Sequence, residues 1–132
     1  ILQKGIRGIW EIGVFPIKRD SIDLAGLKEA MHRIKNGNAL VLFPEGRRRL
    51  NGVPDTAKGG VGFLAVKLNV PVIPAFIMGT DRALAPGAKF IKPAKISVCF
   101  GKQIFIERRV PYQDTAWHIM ENIRHLSCKG LN

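Results

Sequence analysis

The amino-acid sequence predicts an α/β fold, a largely parallel sheet with flanking helices. Two observations carry that expectation. Ala39-Leu40-Val41-Leu42-Phe43 and Val70 to Ile77 are continuous apolar runs of strand length, without polar alternation, as in strands covered on both faces. Between them, Lys58 to Leu68 shows helical periodicity through Val61, Leu64, Ala65 and Leu68. Strand, crossover helix and strand make a βαβ unit, whose right-handed connection sets the two strands parallel. A length of 132 residues fits one domain with one core and excludes two. A composition of 46% hydrophobic and 23% charged residues excludes a disordered chain.

Taken in order, Gly13-Val14-Phe15-Pro16-Ile17 reads as a short strand that stops at the basic pair Lys18-Arg19. Asp20 or Ser21 then caps a helix. Its Leu24, Leu27, Met31 and Ile34 make one apolar stripe, and Gly37 ends it as a left-handed cap. The strand from Ala39 to Phe43 stops at Pro44-Glu45-Gly46. Residues Arg47 to Ala57 form a loop, with Asn51-Gly52 as a turn and Pro54 as a breaker. Beyond the second apolar run, Ile96, Val98 and Phe100 alternate with Ser97 and Cys99 in a half-exposed strand. Ile104 to Ile106 is a candidate further strand, and a helix from Thr115 to Ser127 closes the chain.

The charge narrows the partners. Lys and Arg number 21 against 10 Asp and Glu, a balance of +11 that favours nucleic acid, an anionic lipid surface or a phosphorylated substrate. The longest apolar stretch, Val70 to Met78, carries two prolines and falls well short of the roughly 20 apolar residues of a membrane-spanning helix. The opening Ile1-Leu2-Gln3-Lys4-Gly5 has neither an initiating Met nor an apolar signal region, as expected of a fragment. Cys99 and Cys128 stand at no metal-ligand spacing and fit reduced thiols in a reducing compartment.

In open parallel sheets, ligands bind beyond the carboxyl ends of the strands, and both basic clusters fall there. Arg19 follows the first strand and Arg47-Arg48-Arg49 follow Phe43, so two cationic groups can converge on one anion. The planar guanidinium donates two parallel hydrogen bonds to a phosphate, although a solvated basic loop has the same composition. Glu45 repels phosphate, so its carboxylate suits holding an Arg or accepting a hydrogen bond from a substrate hydroxyl. Lys58-Gly59-Gly60-Val61-Gly62 opens a helix whose first amides attract anions. It lacks the spacing of a P-loop, and glycines that permit close helix packing explain it equally well. His32, His118 and His125 read as surface or boundary residues. Asp114 and His118, an i, i+4 pair, read as helix-start electrostatics and not as a catalytic dyad.

Three blocks, Gly13-Val14-Phe15-Pro16-Ile17-Lys18-Arg19, Phe43-Pro44-Glu45-Gly46-Arg47-Arg48 and Val70-Pro71-Val72-Ile73-Pro74, resemble in order and spacing the second, third and fourth blocks of the glycerolipid acyltransferases. The likeness is to the lysophosphatidic acid (1-acyl-sn-glycerol-3-phosphate) acyltransferase group and extends from about Trp10 to Thr80, with Lys58-Gly59-Gly60 similar to a further family feature. The resemblance implies transfer of a fatty acyl group from acyl-CoA or acyl carrier protein to a hydroxyl of a lysophospholipid or glycerol phosphate, with no other cofactor. It further implies that Arg19, Glu45, Gly46, Arg48 and Lys58 line the acceptor's phosphate site, and that Pro71 to Pro74 shape a pocket. In the family an H-x-x-x-x-D block supplies the catalytic base. Here the residues five beyond His32, His118 and His125 are Gly37, Ile123 and Gly130, so no catalytic residue is assigned. The expectation is therefore residues 1–132 as the carboxyl-terminal portion of a single, incomplete acyltransferase domain, inactive alone, peripheral at the cytoplasmic face of an anionic membrane. Arg47 and Arg49 stand where the family usually has Thr and Ser. The alternatives are a basic nucleic-acid-binding module, disfavoured because the aromatic residues fall in apolar patterns and leave few stacking platforms, and a non-catalytic lipid-binding remnant.

Overall fold

The computed structural model describes residues 13–15, 23–46 and 57–129, with side chains through 127. The chain divides into two compact units, Ile1–Leu40 and Val41–Asn132. In the first, helix α1 spans Leu24–Lys35. Its cap is Asp23, whose side chain accepts a hydrogen bond from the Gly26 amide at 2.9 Å, while Asp20 and Ser21 lie outside the described residues. The last turn carries His32, Arg33 and Lys35, the sign the helix dipole favours. Gly37 follows with φ +83°, the left-handed closure that its lack of a Cβ permits.

The second unit contains α2 (Gly59–Leu68), β1 (Ala75–Met78), the short α3 (Thr80–Ala83), β2 (Ser97–Phe100) and α4 (Tyr112–Lys129). α2 is apolar on nearly every face because it lies inside the unit, with Leu64, Ala65 and Val66 buried. Ala65 meets Ile119 and Ile123 of α4, and Val61, Val72, Phe76 and Ile106 close around them. Gly62 sets how near the two helices come. A Cβ there would run into the Tyr112 carbonyl oxygen and stand 3.0 Å from the Ala116 nitrogen, so the helices meet backbone to backbone. The helix-packing role of this glycine-rich stretch is thus met at Gly62. Phe63 adds an edge-to-face contact with Tyr112, ring centroids 5.2 Å apart.

Helices around a short sheet are compatible with the expected incomplete α/β domain, but the expected parallel sheet is not shown. Among the described residues the sheet has two strands and they are antiparallel, Ala75 opposite Phe100 and Ile77 opposite Val98. The run Ala39–Phe43 belongs to no strand among the described residues, and Val41 and Phe43 are 80% and 67% exposed. β1 pairs instead with the strand that returns to it through α3 and a turn, a connection that brings the chain back antiparallel. Pro71 and Pro74 lack an N–H, which shortens the expected strand from Val70 to Ile77 to its last residues. Upstream, the pairing persists as an isolated bridge, Val72 with Ile104, and as the Gly101 amide donating to the Pro74 carbonyl at 2.8 Å. The candidate strand Ile104 to Ile106 is reduced to that bridge. Residues 13–15 form no strand, and the rest of that expected element lies outside the described residues.

One face of the β1–β2 sheet turns Phe76 toward α2 and α4. The other turns Ile77, Val98 and Phe100 to solvent, and the expectation that aromatic residues are taken up by apolar packing fails at Phe43, Phe90, Phe100 and Phe105, all exposed.

Because α2 and α4 touch through main-chain atoms at Gly62, Gly62→Ala should force the helices apart and cost about 3 kcal/mol. Gly60→Ala, where an added Cβ meets nothing within 4 Å, should be neutral or slightly stabilising. Urea unfolding of the full-length protein with each substitution checks the difference.

Candidate functional site

Of the expected site residues, Glu45, Gly46 and Lys58 fall in the described part of the second unit. Arg19, Arg48 and the neighbouring Arg47 and Arg49 lie outside the described residues. The Pro44-Glu45-Gly46 segment is a tight turn closed by the Gly46 amide donating to the Phe43 carbonyl at 3.1 Å. Gly46 sits at φ +70°, where a side chain is strained, and its Cα faces the Lys58 stem: a Cβ would stand 3.3 Å from Lys58 Cγ. Pro44 is buried and Glu45 is half-buried. The Pro44 carbonyl accepts the Lys58 amide at 2.9 Å, which fastens the turn to the first residue of the α2 cap.

That cap is unusual in chemistry. Lys58 makes no side-chain cap bond, and no acidic residue stands in the first turn of α2. A helix start carries partial positive charge from its free amides, normally answered by Ser, Thr, Asp or Asn. Here a lysine stands at the cap and two glycines follow it, so the helix start and the Lys58 ammonium carry the same sign, and the half-buried Glu45 belongs to the turn bonded to this cap. The space over Gly60 is open, so a group can approach the backbone there. Gln113 of α4 braces the cap from the other side, its Nε2 donating to the Ala57 carbonyl at 3.0 Å. The arrangement can hold an anion while Glu45 accepts a hydrogen bond from a neighbouring hydroxyl.

The first unit positions its own block through a residue the sequence reading passed over. Arg33 Nη1 donates to the Gly13 carbonyl at 2.9 Å, its Nε to Glu29 Oε1 at 2.6 Å, and its guanidinium lies 5.1 Å from the Phe15 ring centroid. These contacts tie Gly13 and Phe15, the start of the block that ends at Arg19, to α1. Arg33 lies in the last turn of α1, and spacing within a helix gives no signal for a contact that reaches across to Gly13 and Phe15.

The histidines are on the surface, as expected. His32 Nε2 lies 3.0 Å from the Asn36 amide nitrogen, and His118 and His125 are exposed on α4. No hydrogen bond or ion pair joins Asp114 to His118. A cavity of about 470 Å³ does lie beside them, lined by Ile106, Val110, Thr115 and His118 with the acidic Glu107 and Asp114. Its two carboxylates repel a phosphate, so the cavity is not the expected acceptor site.

The same stretch of chain is matched by a protein family. The family described as Acyltransferase matches residues 6–78, more than half of the chain. The chain belongs to the acyltransferase family. Within it, the chain is similar to a chloroplastic 1-acyl-sn-glycerol-3-phosphate acyltransferase of Brassica napus, 36% identical over 84 residues that cover 61% of this chain and 24% of the relative. A chloroplastic enzyme of the same name from Arabidopsis thaliana is 34% identical over 84 residues, covering 61% of this chain and 23% of the relative. A 1-acyl-sn-glycerol-3-phosphate acyltransferase of Limnanthes douglasii is 33% identical over 76 residues, covering 57% of this chain and 27% of the relative. The chain thus spans about a quarter of the length of these curated relatives. No solved structure matches it. The acyltransferase match contains α1, the Glu45–Gly46 turn, α2 and β1, and stops at the end of β1.

The positive φ and the contact with Lys58 make Gly46 a sensitive position in this chain. Gly46→Ala should cost about 1 to 2 kcal/mol, and Gly46→Asn less, because Asn tolerates the left-handed region. Thermal denaturation of the two variants in the full-length protein checks the order.

Proposed function

We propose that this chain provides the acceptor-binding part of a glycerolipid acyltransferase, which moves a fatty acyl group from acyl-CoA or acyl carrier protein to a hydroxyl of a lysophospholipid or glycerol phosphate. The observation that carries the reading is the Pro44-Glu45-Gly46 turn bonded to the lysine-marked start of α2, inside the matched acyltransferase region. Relatives named 1-acyl-sn-glycerol-3-phosphate acyltransferases support a phosphate-bearing acceptor.

In the reaction the acceptor hydroxyl attacks the thioester carbonyl, a C–O bond forms, the C–S bond breaks, and the hydroxyl proton passes to a base while the thiol leaves. No histidine of this chain is followed by Asp at the fifth position, so the residues here bind and orient instead of taking that proton. The α2 start and Lys58 hold the phosphate, and Glu45 accepts from a glycerol hydroxyl or steadies an arginine; Arg19 and Arg48, which the resemblance assigns to the same phosphate, lie outside the described residues. Orientation of this kind is a large part of what an acyl-transfer site must supply, because a fixed hydroxyl reacts as though at very high local concentration. Its expected place is the cytoplasmic face of a membrane, since the lipid product partitions into the bilayer. Among the described residues no helix is long and apolar enough to cross a membrane.

Losing one charge-assisted contact to the phosphate should raise the acceptor KM by about ten- to a hundredfold and leave the acyl-donor KM nearly unchanged. Steady-state kinetics of Arg19→Ala, Arg48→Ala and Lys58→Ala in the full-length enzyme read this out. Equal rises in both KM values would contradict a phosphate-binding role.

A further inference from the structure

The segment that joins β1 to β2 has a composition and an exposure that the acyltransferase reading does not use. Phe90 and Ile91 lie side by side at its tip, 80% and 78% exposed. An exposed pair of this size is costly in water and gains nothing from the fold, since neither residue packs on the core of α2 and α4. The tip is nevertheless held. The Ala88 amide donates to Ala85 at 3.0 Å in a turn just before it, and the Lys92 amide donates to the Ala83 carbonyl at 2.8 Å just after it. Farther on, Gly79 lets the Lys95 carbonyl approach so closely that a Cβ would collide with it.

The flanks decide what such a tip fits. Lys89, Lys92 and Lys95 bracket Phe90 and Ile91, all three exposed. From Arg82 to Ile106 there is no Asp or Glu. Ile96 and then Val98, with Phe100 72% exposed, continue the apolar surface from the tip along the solvent face of β2. An exposed apolar pair with main-chain bonds on either side and three exposed lysines flanking it in the chain, with no acid among them, is complementary to a surface that is hydrocarbon underneath and anionic on top. Lysine stems reach past the apolar groups and keep their charge at the headgroup level.

We propose that the Lys89–Ile96 segment is a membrane-docking loop, inserting Phe90 and Ile91 into the interface of an anionic bilayer while Lys89, Lys92 and Lys95 contact lipid phosphates. The segment lies beyond the region matched by the acyltransferase family, and the proposal does not rest on acyl transfer. It extends that reading by bringing the lipid surface to the second unit of the chain.

The test is sedimentation of the full-length protein with vesicles of phosphatidylcholine alone or mixed with phosphatidylglycerol, in the absence of acyl donor. Binding to the mixed vesicles should fall roughly tenfold on Phe90→Ala or Ile91→Ala. It should fall roughly fivefold for each of Lys89, Lys92 and Lys95 changed to Gln, and should weaken as salt rises. Neutralising the equally exposed Lys28 and Lys35 of α1 should have a much smaller effect; an equal effect would assign binding to overall charge and overturn the loop. Phe90→Trp gives a second readout that other anchors do not mask. The fluorescence added by the new tryptophan should be quenched by bromine-labelled acyl chains, and an added signal that stays unquenched on bound vesicles overturns the proposal. So would a switch from dimer to monomer, or loss of RNA binding, in the loop variants with vesicle binding unchanged. Turnover of these variants on detergent-dispersed substrate should equal that of the unmodified enzyme, which separates failure of docking from failure of the acyltransferase reading.

Discussion

The main-chain contact between α2 and α4 at Gly62 is the constraint on which the second unit depends. Because no side chain separates the helices there, Ala65 reaches Ile119 and Ile123, and the small core they form is what Phe76 of β1 packs against. The same contact fixes the start of α2, braced by Gln113 of α4 through the Ala57 carbonyl. The Pro44-Glu45-Gly46 turn is bonded to that start. A packing decision in the core therefore sets where the turn of Glu45 and Gly46 and the Lys58 cap of α2 stand relative to one another. Packed interiors transmit small displacements, so the site is only as well ordered as the helix pair beneath it.

The chain's charge is not spread evenly over the features the structure describes. The cavity beside α4 carries Glu107 and Asp114 and is the wrong sign for a phosphate. The α2 start and the segment between β1 and β2 have the opposite sign, one built of amides and Lys58, the other of Lys89, Lys92 and Lys95. A net charge of +11 alone is compatible with nucleic acid, phosphorylated substrate or lipid surface. What separates these is the group that accompanies the cation: Glu45 and open backbone at the first place, exposed Phe90 and Ile91 at the second.

The helices were legible in the sequence because each has a periodic apolar pattern and a stop: α1 ends at Gly37, α2 runs within a residue of its expected span, and α4 extends the expected helix at both ends. Cap identity was less so, since Asp20, Ser21 and Asp23 have similar capping chemistry and only the Gly26 hydrogen bond selects Asp23. Strand pairing was not legible. Apolar runs at Ala39–Phe43 and Val70–Ile77 look alike in composition, but pairing is a long-range choice, and two prolines moved the ladder of the second run toward β2. The resemblance assigns Glu45, Gly46 and Lys58 to one site, and the structure sets Gly46 against the Lys58 stem and bonds the turn to Lys58. Arg33 was missed because its role comes from reaching across to Gly13 and Phe15, a contact that spacing within a helix does not reveal.

The central claim, that the turn and the start of α2 receive the phosphate of a glycerol-based acceptor, is tested most directly by backbone nuclear magnetic resonance of the full-length protein titrated with glycerol 3-phosphate and, separately, with glycerol. Saturable shifts at the Gly46, Lys58, Gly59 and Gly60 amides with glycerol 3-phosphate, absent with glycerol, are the predicted result. Shifts centred instead on Glu107, Asp114 and His118, or equal responses to the two compounds, would contradict it.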